Sequence, residues 1–253
     1  MSEQSAIEWT DATWNPTTGC TKVSPACANC YIERTIQFRT KGRRFVNGHI
    51  PLELHPQRLD WPSKWAKPRM VFVNSLSDLF HQDVPFEYVK RVLDVMASEQ
   101  RHTFQVLTKR PERLLEFTQW MAGTDDISIA GWPRNVWLGV SAENQRMAEL
   151  RIPILLRVPA AVYFISAEPL LGPMNLRRVW DEHGRPADIR LNWVIVGAES
   201  GPLVRPTDPQ WVRDIRDQCV AAGVPFFFKQ WGGRTAKAGG RVLDGRTWDE
   251  MPA

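Results

Sequence analysis

The sequence predicts an α/β protein folded as a full or partial parallel (β/α) barrel, a single domain over residues 1–253. Three observations support this. Short runs rich in Val, Ile and Phe lack polar–apolar alternation, as strands buried on both faces do. Helical patterns lie between these runs, and strand alternating with helix implies parallel pairing through right-handed crossovers. About seven such units in a chain of 253 residues suit a barrel better than an open doubly wound sheet.

In chain order, strands are expected at Ile7–Trp9, Met70–Asn74, Phe104–Thr108, Val136–Ser141, Val162–Ser166, Trp193–Gly197 and Pro225–Lys229. Phe86–Met96 carries apolar residues at 86, 89, 92, 93 and 96, a helical spacing. Leu114, Leu115, Thr118 and Met121 continue such a spacing after Pro111. Asn144–Leu156 is a further helix, with Pro153 a point at which it could stop. Pro209–Ala221 is another, with Asp208 as N-cap and Pro209 at the first helical position.

Composition narrows the classes. The chain is 43% hydrophobic and 24% charged, with a net charge of +4, which excludes global disorder. No apolar run reaches the roughly 18 residues of a membrane span, and the N-terminal residues lack the basic-then-apolar order of a secretory signal. A cytoplasmic, monomeric protein with no membrane partner is expected. In a reducing compartment, clustered thiols suit metal ligation better than disulfides.

Of four cysteines, Cys20, Cys27 and Cys30 fall within eleven residues. Cys219 shares a helix face with Trp211, Val212 and Ile215, and is expected to be a core residue. Three thiolates on a four-iron cluster leave one iron open. A structural zinc site wants four ligands, and His49, His55 or His81 could complete a Cys3His set. Spacing leaves both metals open.

The strand exits carry the polar residues: Asn74-Ser-Leu-Ser-Asp78, Thr108-Lys109-Arg110, Ser141-Ala-Glu143-Asn144, Ser166-Ala-Glu168, Gly197-Ala-Glu199-Ser200 and Lys229-Gln-Trp231. In a parallel barrel these ends share one rim, where functional groups collect. Each could also be a helix cap or a solvated turn. Carboxylates at the rim could bind ribose hydroxyls or an amino group. Lys109, Arg110 and Lys229 could bind a carboxylate or phosphate.

Residues 34–69 hold nine Lys or Arg and two acids, a net +7 that leaves −3 elsewhere. Within them, 41–69 forms a basic and aromatic insertion after the cysteine segment, with Phe45, Trp61 and Trp65 among the charges. Cations meet phosphates and aromatic faces stack on bases, so nucleic acid is the expected partner. Arg43, Arg44, Lys64 and Lys67 are the candidate contacts, joined by Arg110 and Trp231 at the rim. Trp14, Tyr31 and Phe80 could also stack on a base near the mouth. Equally, Trp61 and Trp65 could pack on the barrel beneath a solvated loop.

The blocks IEWTDATWNPTTGCTKVSPACANCY, FVNSLSDLFH, FQVLTKRPERL, VWLGVSAEN, FISAEPLLGP, WVIVGAESGP and VPFFFKQWGG together resemble a phage-associated three-cysteine family of long-unassigned function. The resemblance spans nearly the whole chain. More distantly, a three-cysteine loop after the first strand of a parallel barrel resembles the radical S-adenosylmethionine (SAM) superfamily, and within it spore photoproduct lyase, a DNA-repair enzyme. That superfamily spaces its first two cysteines by three residues, against six here, and has Gly-Gly-Glu where Asn74-Ser-Leu-Ser-Asp78 stands. The resemblance implies a 4Fe–4S cluster on Cys20, Cys27 and Cys30, with SAM chelating the fourth iron. Asn74, Asp78, Lys109, Ser141, Glu143, Gly197 and Glu199 would contact the cofactor, and Tyr31, Lys109, Glu168 and Lys229 would be the catalytic candidates. An electron donor is a further implied partner.

The expected function is an iron–sulfur, radical-SAM-type lyase acting on nucleic acid, DNA before RNA, in repair of UV-damaged bases. A zinc-stabilised nucleic-acid-binding module without catalysis is one alternative, and a barrel enzyme acting on a small metabolite is another.

Overall fold

The computed structural model describes residues 5–123, 131–187, 190–235 and 237–252. Strand β1 (Ala12–Trp14) precedes an antiparallel pair, β2 (Thr17–Thr21) and β3 (His49–Leu54), which flank a single-turn helix, α1 (Ile36–Arg39). Then follow β4 (Met70–Val73), α2 (Phe86–Ser98), β5 (Thr103–Thr108), α3 (Pro111–Ala122), β6 (Val136–Ser141), α4 (Gln145–Leu155), β7 (Tyr163–Ala167), β8 (Trp193–Gly197), α5 (Pro209–Ala222) and β9 (Phe226–Gln230). All strands but β2 and β3 form one parallel sheet, ordered β1-β4-β5-β6-β7-β8-β9. The sheet curls into a half-barrel flanked by helices, with β1 and β9 as its unjoined edges. Of the two expected forms, the partial barrel is the one that forms.

Two apolar clusters separate the faces of the sheet. Val71, Val73, Phe104, Val106, Leu138, Val140, Ile165, Val194, Val196 and Phe228 pack outward with the helices in the main core. The intervening positions face the concave side, where Phe72, Phe164, Trp193, Ile195 and Phe227 form a second cluster around Trp9. Strands so covered read as continuous apolar runs.

The run Ile7–Trp9 is therefore not a strand. Trp9 is buried, its ring 4.7 Å from Phe72 and 6.1 Å from Trp193, and it plugs the concave face. The first strand lies at Ala12–Trp14, less apolar because it is short and at the edge. The other six expected strands begin and end within one residue of expectation, whereas β2 and β3 were not expected. Pro153 lies inside α4 without stopping it, because Ile152 and Leu155 on either side are fully buried and hold the last turn by packing. Asp208 caps α5 by accepting from the Gln210 amide at 2.8 Å, and Cys219 is buried in the main core, both as expected. No helix among the described residues is long and apolar enough to cross a membrane.

The insertion 41–69 is not a loop apart from the fold. Its first half supplies β3, which pairs with the strand that carries Cys20. Its second half takes the place of a crossover helix between β1 and β4, with Trp65 buried and Trp61 packed on the main core. The chain then reaches the opposite end of the sheet. His102, just ahead of β5, contacts the Pro62 carbonyl at 3.1 Å and the Trp65 ring at 5.7 Å. Lys64 and Lys67 thus lie at the N-terminal ends of the strands, across the sheet from the cysteines, and one continuous basic surface over 34–69 does not form.

Gly139 in β6 is required by the concave packing. A Cβ there would lie 2.6 Å from the Phe164 ring. Gly139→Ala is expected to cost about 1–3 kcal/mol by overpacking, measured by denaturant unfolding. In a Phe164→Leu background the same substitution should cost less, because the clashing ring is gone.

Candidate functional site

The three cysteines meet above the C-terminal ends of the parallel strands, each by a different route. Cys20 sits on β2 opposite Ile50, beside a register shift between Thr18 and Cys20. Gly19 makes that irregularity possible: its φ is +100° and a Cβ would lie 2.1 Å from the Pro51 carbonyl oxygen. Such bulges re-aim the neighbouring side chain. Cys27 ends a 3-10 turn, Pro25–Cys27, and Cys30 precedes another, Tyr31–Arg34. Cys20 and Cys30 both pack on a small apolar cluster of Ile32, Phe38, Ile50 and Leu76.

The carboxylates at the strand exits hold this loop. Glu143 is fully buried. It accepts from the Ala26 amide at 3.2 Å and from Arg151 Nη1 at 3.0 Å. Burial alone would raise its pKa, but the Ser24 hydroxyl, the Arg151 charge and the Ala26 amide outweigh it and hold the carboxyl below its usual 4.5. Glu199 accepts from Asn29 Nδ2 at 3.1 Å and from the Arg205 amide and Nε at 2.9 Å each. Arg205 in turn donates to the Pro25 carbonyl at 2.9 Å. Burial opposes ionisation of Glu199 as well, and the Arg205 and Asn29 hydrogen bonds again win, leaving its pKa lowered.

Asp78 is as fully engaged as Glu199. Its carboxylate accepts from the Phe80 amide (3.0 Å), Thr108 Oγ1 (2.8 Å), the Lys109 amide (3.0 Å) and Arg110 Nη1 (2.9 Å). Arg110 also donates to the Thr21 carbonyl at 2.8 Å, beside Cys20. Asn74, at φ +61°, exchanges hydrogen bonds with the backbone and hydroxyl of Thr17. Four residues expected to touch a cofactor, Asn74, Asp78, Glu143 and Glu199, are thus committed to holding the cysteine segment. Gly197 serves a neighbour: a Cβ there would lie 2.6 Å from Glu168 Oε1.

The polar groups that face the concave side without such commitments are fewer. Lys109 Nζ donates to Ser141 Oγ at 3.1 Å. Glu168 Oε2 accepts from Ser166 Oγ at 3.1 Å, and Lys229 Nζ lies 2.9 Å from Glu168 Oε1. Tyr31, half-exposed, donates its hydroxyl to the Ser75 carbonyl. Of these, Lys109 lies close enough to Cys27 and Cys30 to act on their ionisation. Burial and Asp78 push Cys20 up to about 11. Burial also raises Cys30, whereas at Cys27 the Lys109 ammonium and local hydrogen bonds overcome burial and lower it.

Several expected nucleic-acid contacts are spent elsewhere. Arg43 donates to Thr18 Oγ1 at 3.0 Å and to the Pro51 carbonyl, pairs with Glu53 at 3.0 Å, and lies over the Phe38 ring. Arg110 is held by Asp78. Trp231 Nε1 donates to the Val242 carbonyl at 2.8 Å and its ring packs on Phe228. Trp14 and Phe80 are buried in the main core. Arg44 is exposed, as are Arg39 and Lys41, which the sequence reading left aside; their position beside the cysteine sheet is visible only once β2 and β3 pair.

Among the described residues, no three His, Cys, Asp or Glu side chains are placed to hold a single metal ion. The histidines are engaged with hydroxyls: His55 with Thr18, and His49 and His81 both with Thr21, each at 2.8 Å. Each histidine that could complete a Cys3His set is thus hydrogen-bonded to a threonine hydroxyl. The donor set itself, three thiols with Lys109 and Arg110 as neighbouring cations, fits a cubane, in which each thiolate binds a different iron.

The loop clamp has a pH signature. Glu143 and Glu199 have folded pKa values below 4.5, so their stabilisation is complete above that pH and is lost as pH falls through the folded values. The exchange protection factors of the amides of residues 26–30 should fall below about pH 4.5 before those of the core. Glu143→Gln should blunt that step and cost about 3 kcal/mol at neutral pH by leaving Arg151 without its buried partner, measured by denaturant unfolding.

No curated protein and no solved structure matches this chain. A family model described as "Protein of unknown function (DUF5131)" matches residues 4–252, and with nearly its full length covered the chain belongs to that family.

Proposed function

We propose that this chain is an iron–sulfur enzyme of the radical-SAM type that acts on nucleic acid, DNA before RNA, with repair of UV-damaged bases as its task. One observation supports this above the others. Three thiols from three backbone settings are held by buried carboxylates over a concave floor that still presents Lys109, Ser166, Glu168 and Lys229. A purely structural metal site needs no such floor.

Cys20, Cys27 and Cys30 would hold the cluster. Bound with SAM and supplied with one electron by a donor, it would provide hydrogen-atom abstraction, chemistry that belongs to the cofactor. The chain's own residues do the rest. Lys109 and Arg110 offset negative charge at the thiolates. The aromatic plug of Trp9, Phe72 and Trp193 closes the far end of the half-barrel and excludes water there. Tyr31, half-exposed beside Cys30, is the aromatic placed to meet a substrate at the mouth. A base must leave the stack to enter such a mouth, which favours damaged or unpaired nucleotides.

Protein purified without oxygen should be brown and hold about four iron and four sulfide per chain. Cys20→Ala, Cys27→Ala and Cys30→Ala should each lose the colour, whereas Cys219→Ala, in the core, should keep it. Colourless protein with stoichiometric zinc would refute the reading. For nucleic acid, the basic contact set is now Arg39, Lys41 and Arg44. Replacing each phosphate contact by Ala should flatten the log–log salt dependence of duplex binding by about 0.9. Lys64→Ala, at the opposite end of the sheet, should leave the slope unchanged.

A further inference from the structure

Each carboxylate at the strand exits is matched by its own cation. Asp78 pairs with Arg110, Glu143 with Arg151, Glu168 with Lys229 and Glu199 with Arg205. Two arginines at the same rim are left over. Arg34 and Arg234 are both exposed, and among the described residues neither pairs with a carboxylate. Their charge is therefore available to an anion from outside the chain.

The exits of β8 and β9 bring the two together. Gly201 donates its amide to the Gly233 carbonyl at 2.9 Å, and Arg234 follows Gly233 directly. Arg34 reaches the same place from the cysteine segment. Its Nη2 donates to the Ser200 carbonyl at 3.1 Å and to the Asn29 carbonyl at 3.4 Å. The guanidinium lies on Gly201, where a Cβ would sit 2.8 Å from both terminal nitrogens. Gly201 also has a φ of +132°, which favours glycine. Two neutral carbonyls thus fix one nitrogen of Arg34 without cancelling its charge. Nε and Nη1 have no acceptor among the described residues. A fork oriented in advance loses less freedom when it binds.

Resting on the nucleic-acid reading above, we infer that Arg34 and Arg234 grip one phosphodiester of the bound strand, one from each side of the Gly201–Gly233 contact. The arginine fork matches two phosphate oxygens, as an ammonium does not. Asn29, which accepts from Arg34, adjoins Cys30, so this phosphate sits at the cysteine side of the mouth and belongs to the nucleotide that enters it. A lone phosphate or carboxylate gains little at so exposed a site. A strand that also meets Arg39, Lys41 and Arg44 is held there by its other contacts.

The test follows binding of a decathymidylate strand to the full chain by fluorescence anisotropy over a series of salt concentrations. Counterion release counts phosphates rather than arginines. The double variant Arg34→Gln/Arg234→Gln should therefore flatten the log–log slope by about 0.7, the value for one phosphate on a single strand. It should weaken binding by about tenfold, roughly 1.4 kcal/mol. Arg234→Gln alone leaves the Arg34 hydrogen bonds to the cysteine segment in place and should weaken binding by about threefold or more. That variant keeps the test valid if Arg34→Gln disturbs the fold, which thermal unfolding checks. A slope change of about 1.4 in the double variant would place the arginines on separate phosphates and overturn the shared grip. Unchanged slope and affinity in the double variant, with Arg44→Ala still flattening the slope, would overturn this inference alone. Absence of binding to any strand by the unaltered protein would overturn the nucleic-acid reading and this inference with it. Displacement of the strand by inorganic phosphate at an equal concentration of phosphate groups, abolished in the double variant, would assign the pair to a free anion and also overturn it.

Discussion

The cysteine segment is irregular backbone, and its placement depends on buried carboxylates. Residues 22–35 make only short 3-10 turns, so their polar groups must find partners outside regular structure. Glu143 and Glu199 supply those partners from the ends of β6 and β8. Asp78 does the same indirectly through Arg110, whose guanidinium reaches the Thr21 carbonyl beside Cys20. Glu143 and Glu199 stay ionised in a buried setting because a cation and directed N–H groups oppose the desolvation cost. Without this clamp the three thiols would have no common position.

The same parallel sheet that delivers the carboxylates also divides the interior. Aliphatic side chains on the convex face bind the helices, and aromatic side chains on the concave face fill the lower half-barrel around Trp9. Two glycines adjust the concave face to its contents. Gly139 admits the Phe164 ring into the plug, and Gly197 admits the Glu168 carboxylate to the floor. The boundary between apolar plug and polar rim therefore falls within single strands. In β7, Phe164 belongs to the plug and Ser166, two residues on, belongs to the floor.

The basic insertion solves a different problem. A parallel pair β1–β4 needs a crossover, and here residues 15–69 provide it without a long helix. Arg43 and Arg58 are spent on the internal geometry of that crossover, Arg43 across β2 and β3 and Arg58 on the Asn15 carbonyl. Only part of the positive charge that is continuous in sequence is left facing the cysteine side.

How much was legible beforehand follows from which interactions are local. Six of the seven parallel strands, the α5 cap at Asp208 and the core placement of Cys219 could be read from the sequence, because burial on both faces, capping and helical periodicity each leave a pattern within a few residues. The cysteine cluster and the polar strand exits were legible as types of residue at one rim. Their roles were not. Glu143, Glu168 and Glu199 occur in near-identical tripeptides, yet two bind the cysteine loop and one pairs with Lys229 across β8. That difference comes from partners 117 and 170 residues away in sequence, Ala26 for Glu143 and Asn29 for Glu199. Trp9 looked like strand because a side chain that plugs a barrel is as apolar as one within its wall. Charge is likewise additive in sequence and directional in space, so the +7 of residues 34–69 could be counted from the chain, but only tertiary packing could divide it between the two ends of the sheet.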